Sequence, residues 1–239
     1  MERLIHYACD RLHAVGEAQD EAELLTMRVH VLEHGGVLDG AVFRRIIDIR
    51  DIAAKAGLVL AVTGDKVPYT AGAIRTRDLF EQTYGFYEVR CKLPQAEGLN
   101  GAFWLMCDGA GAENEYGGSD GCEIDILEAP HHDWSQIQHA LHFDGYGAKH
   151  KTVAKELIID NIYDDEYHTY TLVWTDAEYR FYIDGEQTWK IGGIWVCNVP
   201  CYLKLTVSVG GWAGELDPNA TPVSGLTVDY VKVGLPVES

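Results

Sequence analysis

Tyr87-Glu88-Val89-Arg90-Cys91-Lys92-Leu93 alternates without a break: the odd positions are apolar and the even ones charged. Successive side chains of a strand point to opposite faces, so this stretch predicts a β-strand with one face on a core and the other in water. Similar runs recur on both sides of it, with turn signals between them. They are Leu58 to Thr63, Ala71 to Arg77, Gly85 to Leu93, Ala102 to Met106, Cys122 to Ala129, Ile137 to Phe143, His168 to Trp174, Tyr179 to Ile183, Cys201 to Val209 and Leu226 to Val233. That rhythm predicts an all-β fold, sandwich or barrel. Asp184-Gly185 sits where a two-residue hairpin turn wants that dipeptide, between Tyr179–Ile183 and Gln187–Trp189.

Upstream of residue 57 the pattern changes. Met1 to Leu12 and Asp20 to Glu33 carry spaced apolar positions with no Gly or Pro inside, which favours helix, and Phe43 to Ala56 stays open between helix and strand. We therefore divide the chain into an atypical, partly helical N-terminal segment, residues 1–56, and a β-domain, residues 57–239. The glycine-rich, acidic stretch Asp108 to Gly121 reads as a flexible surface connection.

The 239 residues include 19 basic and 37 acidic side chains, a net charge of -18, which repels a polyphosphate backbone and an anionic membrane surface. Nucleic acid and membrane are accordingly not expected partners. No apolar run is long enough for a membrane-spanning helix, and Glu2, His6, Asp10 and Arg11 interrupt the start where a signal peptide needs an apolar core. Six cysteines are too few for a disulfide-built scaffold and read as buried free thiols; a Cys197–Cys201 bridge is left open. Thirteen Tyr and six Trp suit both a β-rich core and a surface that stacks on sugar rings.

The segment richest in chemistry is Cys122-Glu123-Ile124-Asp125-Ile126-Leu127-Glu128-Ala129. As a strand it puts Glu123 and Asp125 on one face and Ile124 and Ile126 on the other, while regular alternation would drive Glu128 into the core. Burying a lone carboxylate is costly, so a β-bulge at Ile126 or Leu127 is expected to return Glu128 to the face of Glu123. Like charges this close raise one another's proton affinity, and no Lys or Arg lies between Lys92 and Lys149 to dilute them. Glycoside hydrolysis uses such a pair, one carboxyl ionised and one protonated. With a bulge the α-carbons of Glu123 and Glu128 stand about 13 Å apart, and side chains leaning together bring the carboxyls toward the roughly 5–5.5 Å of a retaining mechanism. Two other readings stay open on the residues alone: a solvated acidic surface, and a metal site of Glu123, Asp125, Glu128, His131 and His132.

The Glu-Ile-Asp-Ile-Leu-Glu hexad resembles the signature of glycoside hydrolase family 16, in which two Glu flank an Asp on one strand of a β-jelly-roll sandwich. Tyr69 to Thr76, Tyr84 to Arg90, Ala102 to Leu105, Phe181 to Gly185 and Val228 to Val233 fall in the family's order, so the resemblance covers about residues 57 to 235. It implies an all-β jelly roll with Glu123 as nucleophile, Glu128 as acid/base and Asp125 as a hydrogen-bonding neighbour that tunes Glu123. It further implies substrate contacts from Trp104 at the cleft floor, from Trp212 near the glycone end, and from Arg75 and Glu88. His142, on the strand beside the catalytic one, would bond Asp125 or the acid/base. The null for each aromatic is core packing, and for each polar residue a solvated or satisfied position.

The chain also departs from that pattern. The opening strands with an Asp-Glu-Phe signature are missing from Met1 to Ala56, which puts in question the sheet edge they supply and the structural calcium many members bind near it, despite the matching Asp229. Asn100-Gly101 stands where many laminarin-cleaving members have Trp-Pro. The five-residue spacing of Glu123 and Glu128 resembles the laminarinase, agarase and carrageenase side of the family. The resulting expectation is a retaining endo-glycosidase that needs no cofactor, acts as a monomer on a β-linked polysaccharide, and works outside the cell as the family implies. Because the chain is so acidic, neutral β-1,3-glucan comes before a neutral or mildly substituted β-galactan. A lectin on the same sandwich with an idle acid strip is the competing class.

Overall fold

Tyr87, Val89, Cys91 and Leu93 are buried, and Glu88, Arg90 and Lys92 are half-buried on the opposite face. The alternating stretch is thus the strand that its sequence predicts. The computed structural model describes residues 36–38, 41–48, 72–113, 116–130, 135–215 and 225–236. Among them run strands β1 (Gly36–Leu38), β2 (Ala41–Asp48), β3 (Gly72–Arg75), β4 (Glu81–Gln82), β5 (Gly85–Lys92), β6 (Leu99–Met106) and β7 (Glu123–Pro130). They are followed by β8 (Gln136–Phe143), β9 (Lys151–Ile158), β10 (His168–Trp174), β11 (Glu178–Ile183), β12 (Glu186–Gly192), β13 (Cys201–Val209) and β14 (Thr227–Pro236).

The strands pair antiparallel in two sheets, one ordered β1-β2-β14-β5-β10-β11-β12 and the other β3-β13-β6-β7-β8-β9, with β4 also on β13. The sheets stack face to face as a β-jelly-roll sandwich. Their inner faces meet in one core, where Tyr87, Val89, Tyr170, Leu172 and Trp174 from β5 and β10 join Phe103, Leu105, Ile124, Ile126 and Leu127 from β6 and β7. Each large apolar side chain so buried contributes roughly 1.5–3 kcal/mol. The Asp184-Gly185 turn joins β11 to β12 with both residues at positive φ, 49° and 84°, the twist that a two-residue hairpin needs.

Two sequence expectations need correction. The described part of the first 56 residues, 36–38 and 41–48, is strand: β2 pairs with β14 and β1 with β2, so the chain does supply the sheet edge thought to be missing. Tertiary pairing decided a segment whose periodicity was ambiguous. The stretches Met1–Leu12, Asp20–Glu33 and Leu58–Thr63 lie outside the described residues. The connection Asp108–Gly121, expected to be flexible, contains two 3-10 turns, Asp108–Gly111 and Gly117–Asp120. Two of its glycines are there for close approach, since a Cβ on Gly109 would stand 2.2 Å from the Asp120 carbonyl and one on Gly118 2.6 Å from that of Trp195. The expected free thiols are found: Cys91, Cys107, Cys122, Cys197 and Cys201 are all buried and unbridged.

Candidate active site

Strand β7 lies inside its sheet, between β6 and β8. Its register with β6 steps from Phe103↔Leu127 to Trp104↔Asp125, which leaves Ile126 unmatched, and its register with β8 shifts between Asp125 and Glu128. This is the bulge that the sequence requires. Ile124, Ile126 and Leu127 all go into the core, while Glu123, Asp125 and Glu128 line the same open cleft of about 320 Å³.

A bulge takes a backbone carbonyl out of the ladder, and that group needs a partner. His139 supplies it from β8, with Nδ1 2.7 Å from the Ile126 carbonyl oxygen. A carbonyl only accepts, so Nδ1 carries the proton. Burial lowers the pKa of His139 to about 4, so the ring is neutral and its Nε2, 2.8 Å from Thr188 Oγ1 on β12, accepts from that hydroxyl. The ring is stacked on Phe181 at 4.7 Å. A buried histidine thus ties the β7 bulge to the opposite sheet.

Cross-strand register arranges the rest of the cleft in two rows. One runs Arg75–Lys204–Trp104–Asp125 across β3, β13, β6 and β7. The other runs Ala73–Thr206–Ala102–Glu128–Gln138 and ends on β8. Small side chains at 73, 102 and 206 lower the floor beside Glu128, which opens the cleft there. Trp104 lines it, donating from Nε1 to Thr206 Oγ1 at 3.1 Å, and the Lys204 ammonium lies 3.5 Å over its ring. Arg75 is exposed and shares the strand face of the cleft-lining Ala73, two residues away.

Each carboxylate has its own surroundings. Glu123 accepts a hydrogen bond from Tyr146 Oη, on the loop after β8. Asp125 is buried, and its pKa stands well above the ordinary value because of that burial and then the charges of Glu128 and Glu123. His142, opposite Glu123 in the ladder, brings Nε2 to 3.4 Å from Asp125 Oδ2, while its Nδ1 is 2.9 Å from His150 Nε2. Glu128 accepts from Gln138 Nε2 at 2.7 Å. Burial raises its pKa and Glu123 adds to the rise, against Gln138, His142 and Asn100. Desolvation therefore outranks the charge of Glu123 in tuning Glu128.

These arrangements are those of one enzyme family. The family model for glycosyl hydrolases family 16 matches residues 44–232. The chain belongs to that family. Among similar proteins, keratan-sulfate endo-1,4-beta-galactosidase of Sphingobacterium multivorum is 34% identical over 72% of this chain and 42% of its own. A beta-glucanase of Rhodothermus marinus is 29% identical over 69% and 62%. The chain spans less than two thirds of either relative. A laminarinase from Flavobacterium sp. UMI-01 superposes with a TM-score of 0.59 at 27% identity, covering 69% of this chain and 72% of that one.

Of the expected site residues, the structure gathers Glu123, Asp125, Glu128, Trp104 and His142 in or against the cleft, with Arg75 at its edge. Trp212 stands half-exposed in the 3-10 turn Gly211–Ala213 after β13, beyond the cleft-lining Ser208. Glu88 is a correction. It sits on the outer face of β5 in the other sheet, accepting from Thr171 Oγ1 and Tyr230 Oη, because the regular alternation of that strand turns it away from the sandwich. His131 and His132 lie outside the described residues. Asp229, the candidate calcium ligand, is paired with Arg90 Nη1 at 2.5 Å. Among the described residues Asp229 belongs to no cluster of three or more His, Cys, Asp or Glu side chains. Sequence reasoning missed Tyr146, Gln138, His139, Lys204 and Asn100. Gln138 and His142 share a face by even spacing, which was a usable signal; Tyr146 reaches Glu123 from a loop and leaves none.

Proposed function

We propose that this chain is the catalytic unit of a retaining endo-glycosidase acting on a β-linked polysaccharide, β-1,3-glucan foremost, as a monomer outside the cell. The observation that carries the reading is the bulged β7 strand, which sets three carboxylates of unequal environment along an open cleft. In this scheme Glu123 attacks the anomeric carbon as Glu128 passes its proton to the departing glycosidic oxygen. Glu123 then leaves as water attacks and Glu128 takes the water's proton. A raised pKa suits Glu128 to the acid role, and the loss of the Glu123 charge in the glycosyl-enzyme suits it to the base role. Asp125, whose burial favours the protonated form, repels the anionic nucleophile less than an ordinary carboxylate would. Trp104 and the small floor residues beside it offer a sugar ring a stacking edge and room.

A second substrate reading, a β-galactan with anionic substituents, is favoured by the Arg75–Lys204 pair, a local positive strip at the cleft in an acidic chain. Among the described residues no helix is long and apolar enough to cross a membrane. The test is reducing-end release from laminarin, mixed-linkage glucan, agarose and keratan sulfate, with Glu123→Gln in parallel. Release from one polymer that disappears in the variant supports the reading. Binding without release, unchanged in the variant, would leave a lectin.

A further inference from the structure

Three cysteines that play no part in hydrolysis converge at one end of the active-site sheet. Cys107 follows β6, Cys201 opens β13, and Cys197 precedes it in the connecting loop. The pairing of Tyr202 with Met106 brings the first two side by side. All three are buried, and their sulfurs lie within 4.8 Å of one another. A disulfide would account for two sulfurs and leave the third idle, and Cys197 Sγ to Cys201 Sγ is 3.7 Å, far longer than a bond. A tetrahedral zinc ion with metal–sulfur bonds of about 2.3 Å holds its sulfurs about 3.8 Å apart. The 3.7 Å between the Cys197 and Cys201 sulfurs matches that spacing, and the Cys107 sulfur lies within 4.8 Å of both.

We propose that Cys107, Cys197 and Cys201 bind one thiophilic divalent cation, zinc, which pins the start of β13 and the loop before it to the end of β6. Soft thiolates in an apolar pocket select such an ion over calcium or magnesium. The Cys197 and Cys201 thiols also face the Val199 carbonyl, at 3.5 and 3.7 Å. Cys122 is not one of the cluster: its thiol donates to the Glu123 carbonyl at 3.1 Å. It is buried beside Gly121, whose backbone lies so close to the Cys107 sulfur that a Cβ there would be 2.4 Å from it. The cation is structural: the strands it joins carry Trp104, Lys204 and Thr206 to the cleft, but the cluster does not line that cleft.

The test is to titrate the reduced, full-length chain with Zn²⁺ and with Co²⁺ in the absence of oxygen. The expected result is about one zinc ion retained per chain after dialysis, with a sulfur-to-cobalt charge-transfer band and tetrahedral d–d bands for Co²⁺. Zinc should also shield these thiols from a thiol-modifying reagent. Cys107→Ser and Cys201→Ser should lose retention, whereas Cys91→Ala, in β5 and outside the cluster, should keep it. If the serine variants do not fold, the cobalt spectrum and thiol shielding of the unaltered chain decide the matter. A reduced chain that retains no zinc and gives no sulfur-to-cobalt band overturns the proposal. So does a Cys197–Cys201 disulfide that persists in protein produced with ample zinc.

Discussion

On the outer face of β5, Glu88 accepts hydrogen bonds from Thr171 and Tyr230 at 2.9 Å each, Lys232 stands 3.4 Å away, and neighbouring Arg90 is paired with Asp229. On the cleft face of β7, Glu123, Asp125 and Glu128 share one strip, and the cation nearest in register, Lys204, is one strand further off and partly desolvated. The residue types are the same, yet only one set is neutralised. In β5 the alternation is regular and each charge meets a partner across the ladder. In β7 the alternation is broken so that the carboxylates can be kept together, and burial more than pairing raises the pKa of Asp125 and Glu128. Charge left uncompensated at a structural cost marks the working face.

Replacement of Glu123 by Gln should therefore have the largest effect, a fall in kcat/KM of at least about a thousandfold on the polymer that is cleaved. His139 comes next. His139→Ala leaves the bulge carbonyl without its donor and opens a cavity, so urea or thermal unfolding should show about 2–4 kcal/mol of lost stability. The native protein carries a pH signature of the same residue. Its folded pKa of about 4 lies below the ordinary histidine value, so the unfolded chain takes up the proton first as pH falls. The stabilisation is full above about pH 6.5 and declines by about 3 kcal/mol toward pH 4; this slope should vanish in His139→Ala. A smaller loss, about 10- to 100-fold in kcat/KM, is expected of Tyr146→Phe, which removes a hydrogen bond to a charged group. Glu88→Gln should be the mildest, leaving turnover within about twofold and stability within about 1 kcal/mol. A large loss of activity there would break the contrast between the sheets.

The alternation in Tyr87–Leu93, the Asp-Gly hairpin and the bulge in β7 were all legible, because each follows from a local rule about strand faces, turn geometry or carboxylate burial. Strand β9 was not: Lys151–Ile158 is largely exposed, and without an apolar face it has no period to read. Nor were β1 and β2, whose strand character comes from pairing, β2 with β14 and β1 with β2, rather than from their own pattern. In the site, the carboxylates stood out through their spacing. Glu88 misled because a family position was carried over without asking which sheet it lay on. Tyr146 and His139 escaped notice because one acts from a loop and the other through the core, on a backbone atom that only the bulge exposes.

The division of labour between Glu123 and Glu128 is tested most directly by azide rescue, with the products resolved by NMR. Glu128→Ala, given an aryl glycoside whose activated leaving group departs without a proton, should regain turnover in azide and release a glycosyl azide of retained configuration. Glu123→Ala should give no retained product at any azide concentration. Retained azide from the Glu123 variant, or an inverted product from the Glu128 variant, would contradict the assignment of nucleophile and acid on this strand.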